Sequence, residues 1–154
     1  MNHFKSDEYF INRTLTLAHV ASLHGEVPVG AVIVSNNQLI SEGSNNTRTL
    51  CDPTAHAEIL ALRNAGIQFN SNRLPTCTLY TSLEPCGMCI QAIKQARIKR
   101  LVFACLDENL GCVWSNNLDT FYPLIVTYTN SDCARSLLQS YFIKKRKLEV
   151  YNST

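Results

Sequence analysis

"TCTLYTSLEPCGMCIQAI", Thr76 to Ile93, changes character halfway along. Thr76 to Ser82 alternates in the manner of a strand. Pro85 follows, and its fixed φ suits the first turn of a helix, so a helix is expected to open at Pro85. Strand into helix is the building unit of an α/β fold. Cys86 and Cys89 stand at the junction, three residues apart and therefore on one helix face. Two thiols rarely complete a metal site, which directs attention to the rest of the chain.

On the N-terminal side, Asp52 to Ala65 reads as another helix, entered through Pro53 and Thr54 and stopped by Gly66. Before it, Val29 to Ser35 is a β-branched run, and "QLISEG" (38–43) returns as its partner strand. Asn36 and Asn37 between them suit the positive φ of a tight hairpin. Ser6 to His24 reads as an amphipathic helix, capped by Ser6 or Asp7 and stopped by Gly25. On the C-terminal side, Lys99 to Cys105 and Leu124 to Thr129 read as strands. Asp132 is expected to cap a last helix whose Ala134, Leu137, Leu138, Tyr141 and Phe142 form one buried stripe. The order β-β-α-β-α-β predicts a mixed sheet with helices on both faces.

The chain has 154 residues, 45% of them apolar and 17% charged, which fits a single globular domain spanning 1–154. No apolar stretch is long enough to span a membrane, and "MNHFKSDEYF" lacks the apolar core of an export signal. The seven cysteines therefore point to a reduced cytoplasm rather than a disulfide framework. Cys51, Cys77, Cys105, Cys112 and Cys133 then read as small buried hydrophobes. The net charge is only +2, yet eight of the 14 basic residues fall in two clusters, at 94–100 and 144–147. Such clusters are either solvated faces or the footprint of a polyanion, and charge alone favours the solvated faces.

The thiols have a partner in His56, the only histidine beyond residue 24. It stands in "DPTAHAEIL", near the start of its helix, as the cysteines do in theirs. Strand–helix junctions gather along one edge of an α/β sheet, so both helix starts can meet at one point. The partial positive charge of a helix N-terminus favours thiolate. One imidazole nitrogen and two thiolates suit Zn²⁺ and leave its fourth tetrahedral position to water, the arrangement of a catalytic zinc. Zinc lowers the pKa of such a water from about 16 to near 7. Glu58 is the available base, although on an ideal helix its side chain diverges from that of His56 by about 200°. They can converge only at the helix mouth. Each element also has a plainer reading: a redox pair for the thiols, a fourth ligand from Cys51 or Cys77, a core histidine, a surface glutamate. The combination H-x-E…P-C-x-x-C is far more specific, and it is the signature of the zinc nucleobase deaminases.

The chain resembles the tRNA-specific adenosine deaminases, the bacterial enzymes that convert the wobble adenosine of an anticodon to inosine. The resemblance rests on "EVPVGAVIV" (26–34), "EGSNNT" (42–47), "DPTAHAEILALR" (52–63) and "LEPCGMC" (83–89), with "YFIKKR" (141–146) echoing a basic C-terminal motif. It implies a three-layer α/β/α cytidine deaminase-like fold on a five-stranded mixed sheet. It further implies one Zn²⁺ per subunit on His56, Cys86 and Cys89, with Glu58 as proton shuttle. Asn45 and the backbone near Ala57 would hold the adenine, Asp107 would lie near the sugar–phosphate backbone, and Tyr141 and Phe142 would touch the anticodon stem-loop. A cytoplasmic homodimer that binds tRNA, and neither DNA nor a membrane, follows from the same resemblance. The chain departs from the family at "IQAI" after Cys89, at "GCVWS" with its Trp114, and between Leu118 and Asp132. A free-nucleobase deaminase acting on guanine or cytosine is the alternative reading. A zinc-stapled RNA-binding module is a third, disfavoured by an intact Glu58.

Overall fold

The computed structural model describes residues 4–113 and 124–151. Trp114 and residues 118–123 of the 118–132 departure lie outside the described residues. Helix α1 (Asp7–Leu23) leads into strands β1 (Gly30–Ser35) and β2 (Gln38–Ser44), then helix α2 (Ala57–Phe69), β3 (Cys77–Thr81), α3 (Gly87–Gln95), β4 (Arg100–Phe103), β5 (Ile125–Tyr128) and α4 (Asp132–Tyr151). The five strands form one sheet in the order β2-β1-β3-β4-β5. β1 runs antiparallel to both its neighbours, while β3, β4 and β5 are parallel. This is the expected five-stranded mixed sheet of an α/β fold.

β1 is buried along its whole length because both faces of the sheet are covered. Its Ala31 and Ile33 join Leu79, Leu101 and Phe103 under Ala57, Ala61 and Ala65 of α2 and Ile90 and Ile93 of α3. Its Val32 and Val34 join Tyr80 and Val102 on the opposite face, under Phe10 and Ile11 of α1 and Ala134 of α4. The hairpin forms as its sequence requires, with Asn36 and Asn37 at φ of 49° and 61°. Two glycines let helices approach the sheet closely. A Cβ on Gly30 would strike the Thr14 carbonyl in α1, and one on Gly43 would strike the Ala57 carbonyl in α2. Ser41 reinforces the second contact, its hydroxyl donating to the Ala61 carbonyl at 2.7 Å. The first turn of α2 is thereby pressed onto the end of β2.

Several expected boundaries shift, each for a local reason. α2 does not begin at Asp52: the Asp52 carboxylate accepts from the Thr54 amide and hydroxyl, which builds a turn instead. The helix also passes through Gly66 and ends at Asn70, which is left-handed at φ 48° and carries the closing bonds to Gly66 and Ile67. Pro85 lies one residue before the α3 cap, which is Cys86. At α4 the cap is Ser131, whose hydroxyl accepts from the Ala134 amide at 3.3 Å, and Asp132 is the first helical residue. β4 is shorter than expected because the chain turns after Phe103. Only Ala134 of the α4 stripe is buried; Leu137, Leu138 and Tyr141 are half-buried and Phe142 is exposed. Of the five cysteines read as core, Cys77 and Cys105 are buried, Cys112 is partly exposed, and Cys51 and Cys133 are exposed. No described helix is long and apolar enough to cross a membrane.

Candidate active site

His56 and Cys86 occupy the same structural position in two helices. Each is an N-cap with extended backbone, at φ/ψ of −70°/152° and −72°/172°, and neither side chain makes a capping bond. Their carbonyls accept the first helical bonds, from Leu60 and Ile90. Their side chains are therefore free to point at each other. Cys89 follows in the first turn of α3, and its sulfur, like that of Cys86, lies 3.6 Å from His56 Nδ1.

That spacing tests whether zinc fits. Bond lengths of about 2.05 Å to nitrogen and 2.3 Å to sulfur at a tetrahedral angle put the two ligand atoms about 3.6 Å apart. The observed separations agree, and all three donor atoms lie within 4.8 Å of one another. Among the described residues no fourth histidine, cysteine or carboxylate joins the group. Cys77 sits in the core and Cys51 at the surface, so neither closes the site. Three ligands with one position open is the catalytic rather than the structural pattern.

The His56–Glu58 difficulty resolves at the cap. The helical 100° step does not apply to His56, which lies outside the helix with extended backbone, while Glu58 lies inside the first turn. The Glu58 side chain is buried, 3% exposed, and lines the same cavity as His56. Burial pushes its carboxyl pKa up, toward the range a proton shuttle needs. Hydrogen bonds to Cys89 and His56 bring Cys86 down to about 3, while its partner bond and burial push Cys89 up. His56 is raised, chiefly by its hydrogen bond to Cys86. Two sulfurs this close share one negative charge unless a cation joins them, which is further reason to regard the trio as a metal site.

His56, Cys86 and Glu58 open into a cavity of about 1000 Å³, with Cys89 buried behind them. Asn45, expected to hold the base, lines it, as do Asp107 and Phe142. Ala57 is the first residue of α2 and fully buried. Asp107 is also a local cap, its Oδ1 accepting from the Asn109 and Leu110 amides at 3.0 Å. Tyr141 is the exception: it does not line the cavity, and its hydroxyl donates to the Gly25 carbonyl at 3.1 Å, tying α4 to the end of α1. Arg135, Leu138, Gln139, Phe142, Ile143 and Arg146 recur at helical spacing along the cavity side of α4. The 144–147 cluster thus adjoins the site through Arg146. The 94–100 cluster does not, since Arg100 enters β4 from the opposite sheet edge and pairs there with Asp7.

Two further buried carboxylates support the site, Glu84 in the cavity wall and Glu26 behind Asn45. Glu84, 5% exposed, accepts from the Asp107 and Val113 amides at 3.2 and 3.0 Å and fixes the loop after β4. Glu26, 1% exposed, gathers the loop after β2. The available signal was an acidic residue set directly against apolar neighbours, Val27 beside Glu26 and Leu83 beside Glu84.

An open His-Cys-Cys zinc site beside a buried glutamate, on a five-stranded mixed sheet, defines the class of zinc-dependent deaminases. Residues 4–105 match the family described as the cytidine and deoxycytidylate deaminase zinc-binding region, and the chain belongs to that family. Within it, the chain is 43% identical over 150 residues to a tRNA-specific adenosine deaminase of Buchnera aphidicola subsp. Baizongia pistaciae, covering 93% of this chain and 92% of the relative. A guanine deaminase of Bacillus subtilis is 47% identical over 107 residues, covering 68% of this chain and 65% of the relative. A solved structure from work on A-to-I editing by tRNA:A34 deaminases at the wobble position superposes with a TM-score of 0.75 at 37% identity, covering 79% of this chain and 97% of that one.

Proposed function

We propose that this protein hydrolytically deaminates adenosine to inosine at the wobble position of tRNA. One observation carries the reading: the likeness to a tRNA-specific adenosine deaminase runs over nearly the full length of both chains. His56 Nδ1, Cys86 and Cys89 would hold a zinc ion, which would supply Lewis acidity and lower the pKa of a water. Glu58 takes the proton from the attacking water and delivers it to N1 of adenine. It then moves the proton of the new C6 hydroxyl to the departing amine, so adenosine and water become inosine and ammonia. The Asn45 side chain and the Ala57 backbone hold the adenine edge. Asp107 and Phe142 face the nucleotides around it, and Arg146 with its basic neighbours meets the RNA backbone. An unpaired loop base enters the cavity at lower cost than one drawn from a duplex.

The same reading makes residues 1–154 one deaminase domain, assembled as a homodimer in the cytoplasm. Tyr141 supports the loop only from behind, by holding α4 against α1. The guanine deaminase relative motivates a second reading, hydrolysis of free guanine. Purified protein incubated with tRNA, with free adenosine and with free guanine separates the two. Inosine in the anticodon loop supports the proposal, whereas ammonia from guanine alone rejects it. Equilibrium sedimentation checks the dimer, and a monomer throughout the working range rejects that part.

A further inference from the structure

We propose that Glu26 is a positioning residue for deamination, its carboxylate holding the Asn45 amide and the turn after it in register with the cavity. The inference rests on the reading of Asn45 as a contact to the base.

Glu26 follows directly on Gly25, whose φ of +75° reverses the chain after α1. Its carboxylate is buried, yet the guanidinium of nearby Arg48 goes to the Gly25 carbonyl at 3.1 Å instead. A run of donors from one short loop replaces a counter-cation. Oε1 accepts from the Thr49 amide at 2.8 Å and the Thr49 hydroxyl at 2.9 Å. The Arg48 amide reaches both oxygens, at 3.1 and 3.2 Å. Oε2 also accepts from the Thr47 hydroxyl and from Asn45 Nδ2, each at 3.4 Å. Burial raises the carboxyl, but the amides of Thr49 and Arg48 and the hydroxyls of Thr49 and Thr47 outweigh it and hold the group ionised.

A carboxylate only accepts, so the edge of the Asn45 amide that faces it is the NH₂. That choice fixes the other edge. Asn45 Oδ1 and its second N–H are left for the cavity that Asn45 lines. The Asn45 backbone is pinned separately, its amide donating to the Val29 carbonyl at 2.9 Å. With the backbone held by Val29, just before β1, and the amide held by Glu26, the orientation of the Asn45 side chain is set at both ends. A carboxylate that merely filled the loop would have no need to reach a side chain that lines the cavity.

The test is a double-substitution cycle on the zinc-loaded protein with an anticodon stem-loop RNA. Glu26→Gln keeps the shape but turns an NH₂ toward these donors. It is expected to lower kcat/KM about 10- to 100-fold, mainly through KM, with zinc content unchanged. Combined with Asn45→Ala, it is expected to add no further loss beyond Asn45→Ala alone. Losses that multiply would overturn the proposal. Hydrogen exchange gives a readout that needs no turnover: the Arg48 and Thr49 amides are protected in the parent and open in Glu26→Gln, and unchanged protection also overturns it. If Glu26→Gln does not fold, Glu26→Asp carries the same cycle. If the parent makes no inosine, the substrate reading fails, and exchange alone then decides the role of Glu26.

Discussion

His56 Nδ1 and the Cys86 sulfur lie 3.6 Å apart although 30 residues separate them. The caps of two different helices are brought within reach of one metal ion. Cys86→Ala is therefore expected to remove one of three ligands and, with it, both the zinc and the activity. Metal analysis of the purified variant checks this. A variant that keeps one zinc per chain with full turnover would refute the site.

Glu58→Gln preserves the shape of the side chain and its burial but cannot accept a proton. Zinc content is expected to stay at one per chain while kcat falls by about 10²- to 10⁴-fold. Single-turnover measurement of inosine formation reads it. Near-parental turnover would remove Glu58 from the proton path.

Gly43→Ala would drive a Cβ into the Ala57 carbonyl, and backbone cannot swing aside as a side chain can. The expected loss is about 1–3 kcal/mol of stability. Because Ala57 lies between His56 and Glu58, zinc affinity should fall as well. Urea unfolding and competition with a chelator measure the two effects, and a loss in stability alone would uncouple the glycine from the site.

Asp7 gives a pH signature away from the active site. Its hydrogen bonds to Arg100, at 2.8 and 2.6 Å, and to Tyr80 hold its carboxyl below the usual carboxylate range. The folded pKa lies below the unfolded one, so this contribution is complete above the ordinary value of 3.8 and disappears as pH falls through the folded value. The pair is about one-third exposed, which limits its contribution to about 1 kcal/mol. Asp7→Asn should be less stable than the parent at pH 7, and the two melting curves should converge below about pH 4. A gap that persists in acid would mean that the aspartate acts through something other than its charge.

Arg146→Ala should weaken tRNA binding and reduce the salt slope of log Kd by about 0.7–0.9, the contribution of one phosphate contact. Lys94→Ala, in the cluster away from the cavity, should leave that slope unchanged. Filter binding across a salt series distinguishes the two, and equal effects would contradict the assignment of the footprint to α4.

The strand and helix order, the hairpin and the metal trio were legible because each depends on local chemistry: alternation in Thr76–Ser82, paired asparagines, a thiol spacing. The convergence of Glu58 on His56 was not, because a helical wheel describes residues inside a helix, and His56 stands just outside one. Asp52, Pro85 and Asp132 each misplaced a helix start. The Asp52 carboxylate closes a turn on Thr54, and at the other two a neighbouring residue, Cys86 or Ser131, is the cap. The fates of Cys51, Cys112 and Cys133 depend on distant packing, which composition does not encode. The roles of Glu84 and Glu26 were not legible because the Glu84 partners are backbone amides, which carry no letter in a sequence, and the Glu26 partners are amides, hydroxyls and a carboxamide about twenty residues away rather than a cation.

Imidazole and sulfur at the two caps leave both helix starts without the side-chain bond that serine or aspartate would make, a sacrifice of about 1 kcal/mol at each end. The ion knits this corner shut in their place. Under zinc starvation the first damage should be local, with loosened opening turns of α2 and α3 and early proteolytic nicking there, while the sheet beneath them stays intact.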